Sequence, residues 1–127
     1  MKNKFLLVSG CLTLIIMVFG VLLFSRPENS STFPPPTGYE YFWKEDCADC
    51  TKVKDFLDSW KGTKEITITE IDVEASKTNI SRFADRGQYC KFPKEALGVP
   101  ILVTPKGTCL SGSDLIISHI KDATSMK

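Results

Sequence analysis

The chain has 127 residues, which is enough for one domain with short additions. Its 16 basic and 15 acidic residues give a formal net charge of +1 at pH 7, and three of the basic residues but only one acidic residue lie within residues 1–28. The remainder therefore carries no basic excess that could attract the phosphate backbone, so no nucleic-acid partner is expected.

The first feature along the chain is an apolar leader. Residues 5–24 form an uncharged run of 20, about the length that crosses a bilayer as a helix. Lys2 and Lys4 precede the run, so the positive-inside rule predicts a cytoplasmic N-terminus and an extracytoplasmic domain. We expect residues 1–25 to be an uncleaved, single-pass membrane anchor. A cleaved signal peptide is the alternative, although the run is long for one and no small-x-small site follows it.

A short tether follows the leader. Residues 26–38, "RPENSSTFPPPTG", are rich in Ser and Pro and show no apolar period. We therefore expect a tether over 26–38 and a folded domain over 39–127, held near the membrane surface.

The pattern of the domain predicts a mixed α/β fold. Apolar periodicity and turn residues predict strands, helices and turns in the following order: strand 39–43, helix 48–60, strand 65–73, helix 75–85, irregular 86–98, strand 100–103, turn 105–107, strand 108–110 and a last helix from Gly112–Ser113 to about 122. The β-α-β start predicts a right-handed crossover with parallel strands. The tight turn predicts an antiparallel last pair.

Periodicity also predicts which helix residues face the core. The expected inward residues are Val53, Phe56, Leu57 and Trp60 in the first helix, Ile80, Phe83 and Ala84 in the second, and Leu115, Ile116 and Ile120 in the third.

Two cysteines open the first helix. Cys47 lies at or just before the first turn, and Cys50 follows three residues later on the same side. Unpaired N–H groups and a partial positive charge at a helix N-terminus stabilise a thiolate, which is the nucleophile in disulfide exchange. A Cys-x-x-Cys pair that follows a strand and opens a helix is typical of thioredoxin-like redox motifs. Asp49, between the two, opposes thiolate formation.

Two other interpretations of the pair remain open. A zinc half-site would need a second pair of ligands, and outside the leader the chain offers only Cys90 and Cys109, 19 residues apart, and His119. We therefore predict no metal site and treat His119 as a solvated or capping residue. A purely structural Cys47–Cys50 bridge would close a very small loop and constrain little of the unfolded chain.

Two later segments add candidate site residues. Pro100 begins a strand without an N–H to donate and can adopt a cis bond, which leaves the backbone of Val99 free to pair with an extended substrate. Ser113 and Asp114 follow Gly112 at the start of the last helix, where an N-terminus binds a carboxylate or is simply capped.

Together these segments resemble glutaredoxins, within the thioredoxin-like group, over about residues 39–121. The resemblance is carried by "KEDCADCTKVKDFLDS", "GVPILV" and "KGTCLSGSDLI". It implies Cys47 as the nucleophile and Cys50 as the resolving thiol. It also implies that glutathione is a co-substrate, with no bound cofactor, and that its contacts are Lys44, Val99, a cis Pro100, Ser113 and Asp114.

The sequence departs from the family pattern at two motif positions. Ala48 and Asp49 replace the usual Pro-aromatic pair between the cysteines, and Ser111–Gly112 replaces Gly-Gly. Cys90 and Cys109 remain, and outside the cytoplasm a structural disulfide between them is one interpretation. Separate buried thiols are the other.

The hypothesis from the sequence is a membrane-tethered thiol–disulfide oxidoreductase that acts on protein or small-molecule disulfides and thiols outside the cytoplasm. The rival is a non-catalytic adaptor that keeps the fold and binds a partner or a soft metal such as copper, since Cys-x-x-Cys thiolates suit soft metals.

Overall fold

The computed structural model describes residues 17–18, 33–60 and 66–125. The predicted membrane segment, 5–24, lies outside these residues except for 17 and 18, which are helical. Among the described helices, none combines the length and the apolar character that a bilayer crossing requires.

Within residues 33–60 and 66–125, the domain has four strands and three α-helices in the predicted order. The bounds are β1 Tyr39–Trp43, α1 Ala48–Ser59, β2 Ile68–Asp72, α2 Lys77–Tyr89, a short 3-10 turn Lys94–Ala96, β3 Ile101–Val103, β4 Cys109–Ser111 and α3 Ser113–Ser125.

The strands form one mixed sheet in the order β2-β1-β3-β4. β1 pairs with β2 in parallel, and both β1–β3 and β3–β4 are antiparallel. The parallel first pair and the antiparallel last pair are both confirmed. At the centre of the sheet, Phe42 of β1 lies between Ile71 and Ile101.

The sheet separates two apolar clusters because successive strand residues point to opposite faces. On one face, Tyr41 and Leu102 pack with Val53 of α1 and with Ile116 and Ile120 of α3. On the other face, the cluster of Phe42, Ile71, Ile101 and Val103 packs against Phe83 of α2. Helices α1 and α3 therefore lie on the same side of the sheet, and α2 lies on the other.

The prediction for α2 was wrong in its end and in part of its inward face. The helix continues to Tyr89, into the stretch expected to be irregular. Phe83 packs inward as expected, but Ile80 is 50% exposed and Ala84 is exposed. The buried residues of α2 are Arg86 and Gly87. A Cβ at Gly87 would lie 2.7 Å from the side chain of Leu97, so any larger residue there would require Leu97 to shift.

One residue of α3 also differs from its predicted place. Ile116 and Ile120 are fully buried as expected, but Leu115 is 60% exposed. A helix turns about 100° per residue, so Leu115 lies about 100° around the helix from the buried Ile116 and falls outside the buried face. The apolar face of α3 is therefore narrower than its composition indicates.

The buried face of α2 carries an ion-pair cluster. Arg86, 2% exposed, donates from Nε to Glu40 Oε2 at 2.7 Å, and Arg82 donates from Nη2 to Glu40 Oε1 at 2.6 Å. Burial alone would raise the pKa of Glu40, but the hydrogen bonds from the two arginines outweigh it and lower that pKa. Arg86 Nη2 also donates to the carbonyl of Pro34 at 2.7 Å, which fixes the end of the predicted tether to the domain.

A disulfide ties the end of α2 to the sheet. Cys90, the C-cap residue of α2, is bonded to Cys109 at the start of β4. Of the two interpretations that the sequence left open, the structure has the bridge.

Candidate active site

The cysteine pair lies where β1 passes into α1. Cys47 is the N-cap residue of α1, with extended backbone angles of φ −118° and ψ 105°, and its Sγ accepts a hydrogen bond from the Cys50 N–H at 3.1 Å. The two cysteines are joined in a disulfide. Cys50 is only 2% exposed, whereas Cys47 is partly exposed. The sulfur that a visiting molecule can reach is therefore that of Cys47.

A buried tyrosine supports the first turn of α1 from below. Tyr41 Oη donates to the carbonyl of Cys50 at 3.1 Å. Burial, assisted by the nearby Glu70 charge, raises the pKa of Tyr41 well above its usual range, so the phenol keeps its proton as a donor. The turn that carries the second sulfur is thus anchored to the core.

The segment before β3 faces the same sulfur. Cys47 Sγ lies 3.8 Å from the carbonyl oxygen of Val99, and the Val99–Pro100 peptide bond is cis. Pro100 is buried, and its carbonyl accepts from the Gly112 N–H at 3.1 Å. This contact joins the proline segment to the start of α3. Gly112 has a φ of 93°, a conformation that glycine adopts readily.

The start of α3 is linked to the cysteine motif through Asp49. Ser113, 4% exposed, donates from Oγ to Asp49 Oδ1 at 3.2 Å, and Lys52 Nζ donates to the same oxygen at 3.0 Å. The hydrogen bond from Lys52, followed by that from Ser113, lowers the pKa of Asp49. Asp49 is therefore an ionised carboxylate at neutral pH.

The remaining predicted contacts lie at the rim. Lys44 is exposed, and its Nζ lies 3.6 Å from Glu74 Oε1, which is also exposed. Such a surface ion pair contributes little to stability. Asp114 is exposed in the first turn of α3. The structure thus links Cys47, Cys50, Val99, Pro100 and Ser113 through short contacts, whereas Lys44 and Asp114 are exposed.

Sequence reasoning missed the part that Asp49 plays. It treated this residue as a charge that opposes thiolate formation, whereas the structure places it against Ser113, 64 residues further along the chain. The i, i+3 spacing to Lys52 is a signal for one of its partners. No local pattern points to the other.

His119 differs from its predicted place. It is half-buried, its ring centroid lies 6.1 Å from that of Tyr39, and its Nε2 is buried without a hydrogen-bond partner among the described residues. It lines a cavity of about 280 Å³ with Thr104 and Asp122. This cavity lies where β1 begins, at the opposite end of the strand from Cys47.

No metal centre is formed by the part of the chain that the structure describes. Within residues 33–60 and 66–125, no three His, Cys, Asp or Glu side chains are grouped so that they could hold an ion.

The fold is similar to those of solved plant glutaredoxins. A buckwheat glutaredoxin–glutathione complex is 19% identical, with a TM-score of 0.48 over 68% of this chain and 70% of that one. A mutated buckwheat glutaredoxin is 17% identical, with a TM-score of 0.49 over 70% and 73%. A wheat glutaredoxin is 16% identical, with a TM-score of 0.48 over 69% and 73%. No protein-family model matches the sequence, and no curated protein matches it.

These likenesses are distant, and the class of fold rests on features of this chain. A central β1 lies between a parallel β2 and an antiparallel β3, with β4 at the edge. A Cys-x-x-Cys pair opens α1, and a cis proline precedes β3 beside it. Together they define a glutaredoxin-like thioredoxin fold with a cysteine pair at its characteristic position.

Proposed function

We propose that the domain is a thiol–disulfide oxidoreductase. The observation that carries the proposal is the placement of Cys47 Sγ, partly exposed at the N-cap of α1, 3.1 Å from the Cys50 N–H and 3.8 Å from the Val99 carbonyl. When the disulfide opens, the same N–H and the positive end of α1 stabilise a thiolate on Cys47.

The reaction proceeds in two exchanges. In the reduced protein, the Cys47 thiolate attacks one sulfur of a substrate disulfide, the substrate S–S bond breaks, and the departing thiolate takes a proton from water. Cys50 then loses its proton, attacks Sγ of Cys47 and expels the second substrate thiolate. Two electrons pass from the cysteine pair to the substrate, and the protein retains the Cys47–Cys50 disulfide. Burial of Cys50 suits this step because only the sulfur of Cys47 can reach it.

The substrates are protein or small-molecule disulfides and thiols. The Val99 carbonyl, beside the reactive sulfur, is an acceptor for a substrate backbone N–H. No bound cofactor is required because the cysteines carry the electrons. Glutathione is the co-substrate that the family resemblance implies.

The proposal is tested by catalytic reduction of a labelled peptide disulfide by dithiothreitol with the full chain. Cys47→Ser should reduce the rate to the uncatalysed level. Cys11→Ser is the matched control, because this thiol lies outside the domain, and it should leave the rate unchanged. Full activity in Cys47→Ser would exclude the proposed nucleophile, and inactivity of the wild type against every disulfide would favour the non-catalytic adaptor.

We propose further that residues 5–24 anchor the protein as a single-pass segment, with the N-terminus in the cytoplasm and the domain outside. The support is the uncharged run of 20 with Lys2 and Lys4 before it. In intact cells, an added protease should remove a C-terminal tag from membrane-bound protein. A tag that is protected until the membrane is broken would contradict the orientation.

A further inference from the structure

The N-termini of α1 and α3 meet beside the cysteine pair. Asp49 lies in the first turn of α1, and its carboxylate accepts from Ser113, the first residue of α3. Each helix N-terminus carries a partial positive charge and unpaired N–H groups, and two together would attract an anion strongly. In this chain the anion is already present as a side chain.

Two neighbouring side chains hold the Asp49 carboxylate. Lys52 Nζ at 3.0 Å and Ser113 Oγ at 3.2 Å both donate to Oδ1. Asp49 also lies in the first turn of α1, where a negative charge stabilises the helix. Ser113 is buried, so the packing around its side chain fixes the direction of its hydroxyl toward Asp49. A carboxylate from outside would have to displace Asp49 or bind beside a like charge.

We infer that Asp49 is a specificity-determining residue: by placing its own carboxylate where the N-termini of α1 and α3 meet, it directs the Cys47–Cys50 centre toward neutral and cationic thiols and away from anionic ones. The inference rests on the proposed exchange activity. Asp49 acts by its charge and takes no part in the transfer of electrons. Glutathione, with its two carboxylates and one ammonium group, should still react as the co-substrate that the resemblance implies, but more slowly than it would without the Asp49 charge.

The measured reaction is reduction of the protein disulfide by simple thiols. A thiolate attacks Cys47 Sγ, the Cys47–Cys50 bond breaks, and Cys50 leaves as a thiolate and takes a proton. A second thiolate then attacks the outer sulfur of the mixed disulfide, which releases the oxidised small molecule and reduced protein. The rate constant for loss of the Cys47–Cys50 disulfide is measured with cysteamine, 2-mercaptoethanol and 3-mercaptopropionate, which are cationic, neutral and anionic. Glutathione is the fourth thiol.

The comparison uses Asp49→Asn in the full chain. Asn keeps the shape and an acceptor for Ser113 but removes the charge. For each thiol, the rate of the variant is divided by that of the wild type, which cancels the intrinsic nucleophilicity of the thiol. Loss of the charge also eases the departure of Cys50 by a factor common to all thiols, and the ratio between anionic and cationic thiols cancels that factor.

We expect the anionic-to-cationic rate ratio to rise about three- to tenfold in Asp49→Asn, the size of effect that one exposed charge at short range produces at low salt. Glutathione should gain with the anionic thiol. The rise in the anionic-to-cationic rate ratio should become smaller as salt is raised, because the charges of Asp49 and of the thiol interact in contact with solvent.

Asp58→Asn is the matched control. It removes the same charge from the same helix, nine residues further on and on the opposite side, about 13 Å along the axis. It should leave the ratio unchanged.

The outcomes separate the two proposals. Measurable rates with the same anionic-to-cationic ratio in wild type and Asp49→Asn would overturn the role of Asp49 and leave the exchange activity standing. An equal rise in Asp58→Asn would show a general charge effect and would also overturn it. If no thiol opens the Cys47–Cys50 disulfide, the proposed function itself is overturned.

Discussion

At the scale of single residues, the ion pair buried under α2 is sensitive to the loss of either partner. Glu40 and Arg86 are both almost fully buried and make a two-point contact, through Nε at 2.7 Å and Nη2 at 3.0 Å. Arg86 also binds the Pro34 carbonyl, so this cluster joins β1, α2 and the segment before β1. Such a pair need not add stability over an apolar core, but removing one partner leaves an uncompensated buried charge.

Replacing Glu40 by Gln should therefore destabilise the domain by about 3–5 kcal/mol at neutral pH, the cost of breaking a buried ion pair. The folded state lowers the pKa of Glu40 below its usual 4.5. Its stabilisation is therefore complete above that value and is lost as the pH falls through the folded pKa. The difference between wild type and Glu40→Gln should be greatest near neutrality and should narrow in acid.

Urea denaturation between about pH 3 and pH 7 measures this difference. The exposed Glu45→Gln is the control, and it should track the wild type throughout. A constant gap between wild type and Glu40→Gln at all pH values would contradict the ionic role of Glu40.

At the scale of elements, the apolar period predicted α1 and α3 well and α2 less well. In α1 and α3 the residues that pack into the core cluster include Val53 and Ile116, which are aliphatic, so the period is visible in the sequence. In α2 the fully buried positions are an arginine and a glycine. An arginine is normally read as exposed, and only its partner 46 residues away in β1 explains its burial.

The Cys90–Cys109 bridge is the covalent link between elements, from the end of α2 to β4. It spans a sequence separation of 19, for which the chain-entropy model gives a stabilisation of roughly 3 kcal/mol. In a Cys11→Ser/Cys47→Ser background, this bridge is the disulfide that a reductant can open. Reductant should then lower the free energy of unfolding by roughly 3 kcal/mol.

The control adds Cys90→Ala and Cys109→Ala to the same background. Reductant should leave its free energy of unfolding unchanged, and its value should match that of the reduced parent to within the small cost of the alanines. An unchanged stability of the parent on reduction would contradict the structural role of the bridge.

At the scale of the whole molecule, three separate segments of chain meet at one end of the sheet. The cysteine motif follows β1, the cis proline precedes β3, and Ser113 begins α3. The order of elements and the Cys-x-x-Cys motif made this meeting predictable, because the ends of adjacent strands and the helices packed on them are neighbours. The bond from Ser113 to Asp49 was not predictable, because side-chain pairing across 64 residues leaves no local pattern.

The central claim is that Cys47 alone is attacked by, or attacks, the outside sulfur, and that Cys50 only resolves. Trapping tests it most directly. The reduced Cys50→Ser variant is mixed with an excess of peptide disulfide, and the adduct is located by mass spectrometry. The account predicts one peptide per chain, bonded to Cys47. In the reduced Cys47→Ser variant, no peptide should be bonded to Cys50. A peptide bonded instead to Cys11, Cys90 or Cys109, or no stable adduct at all, would contradict it.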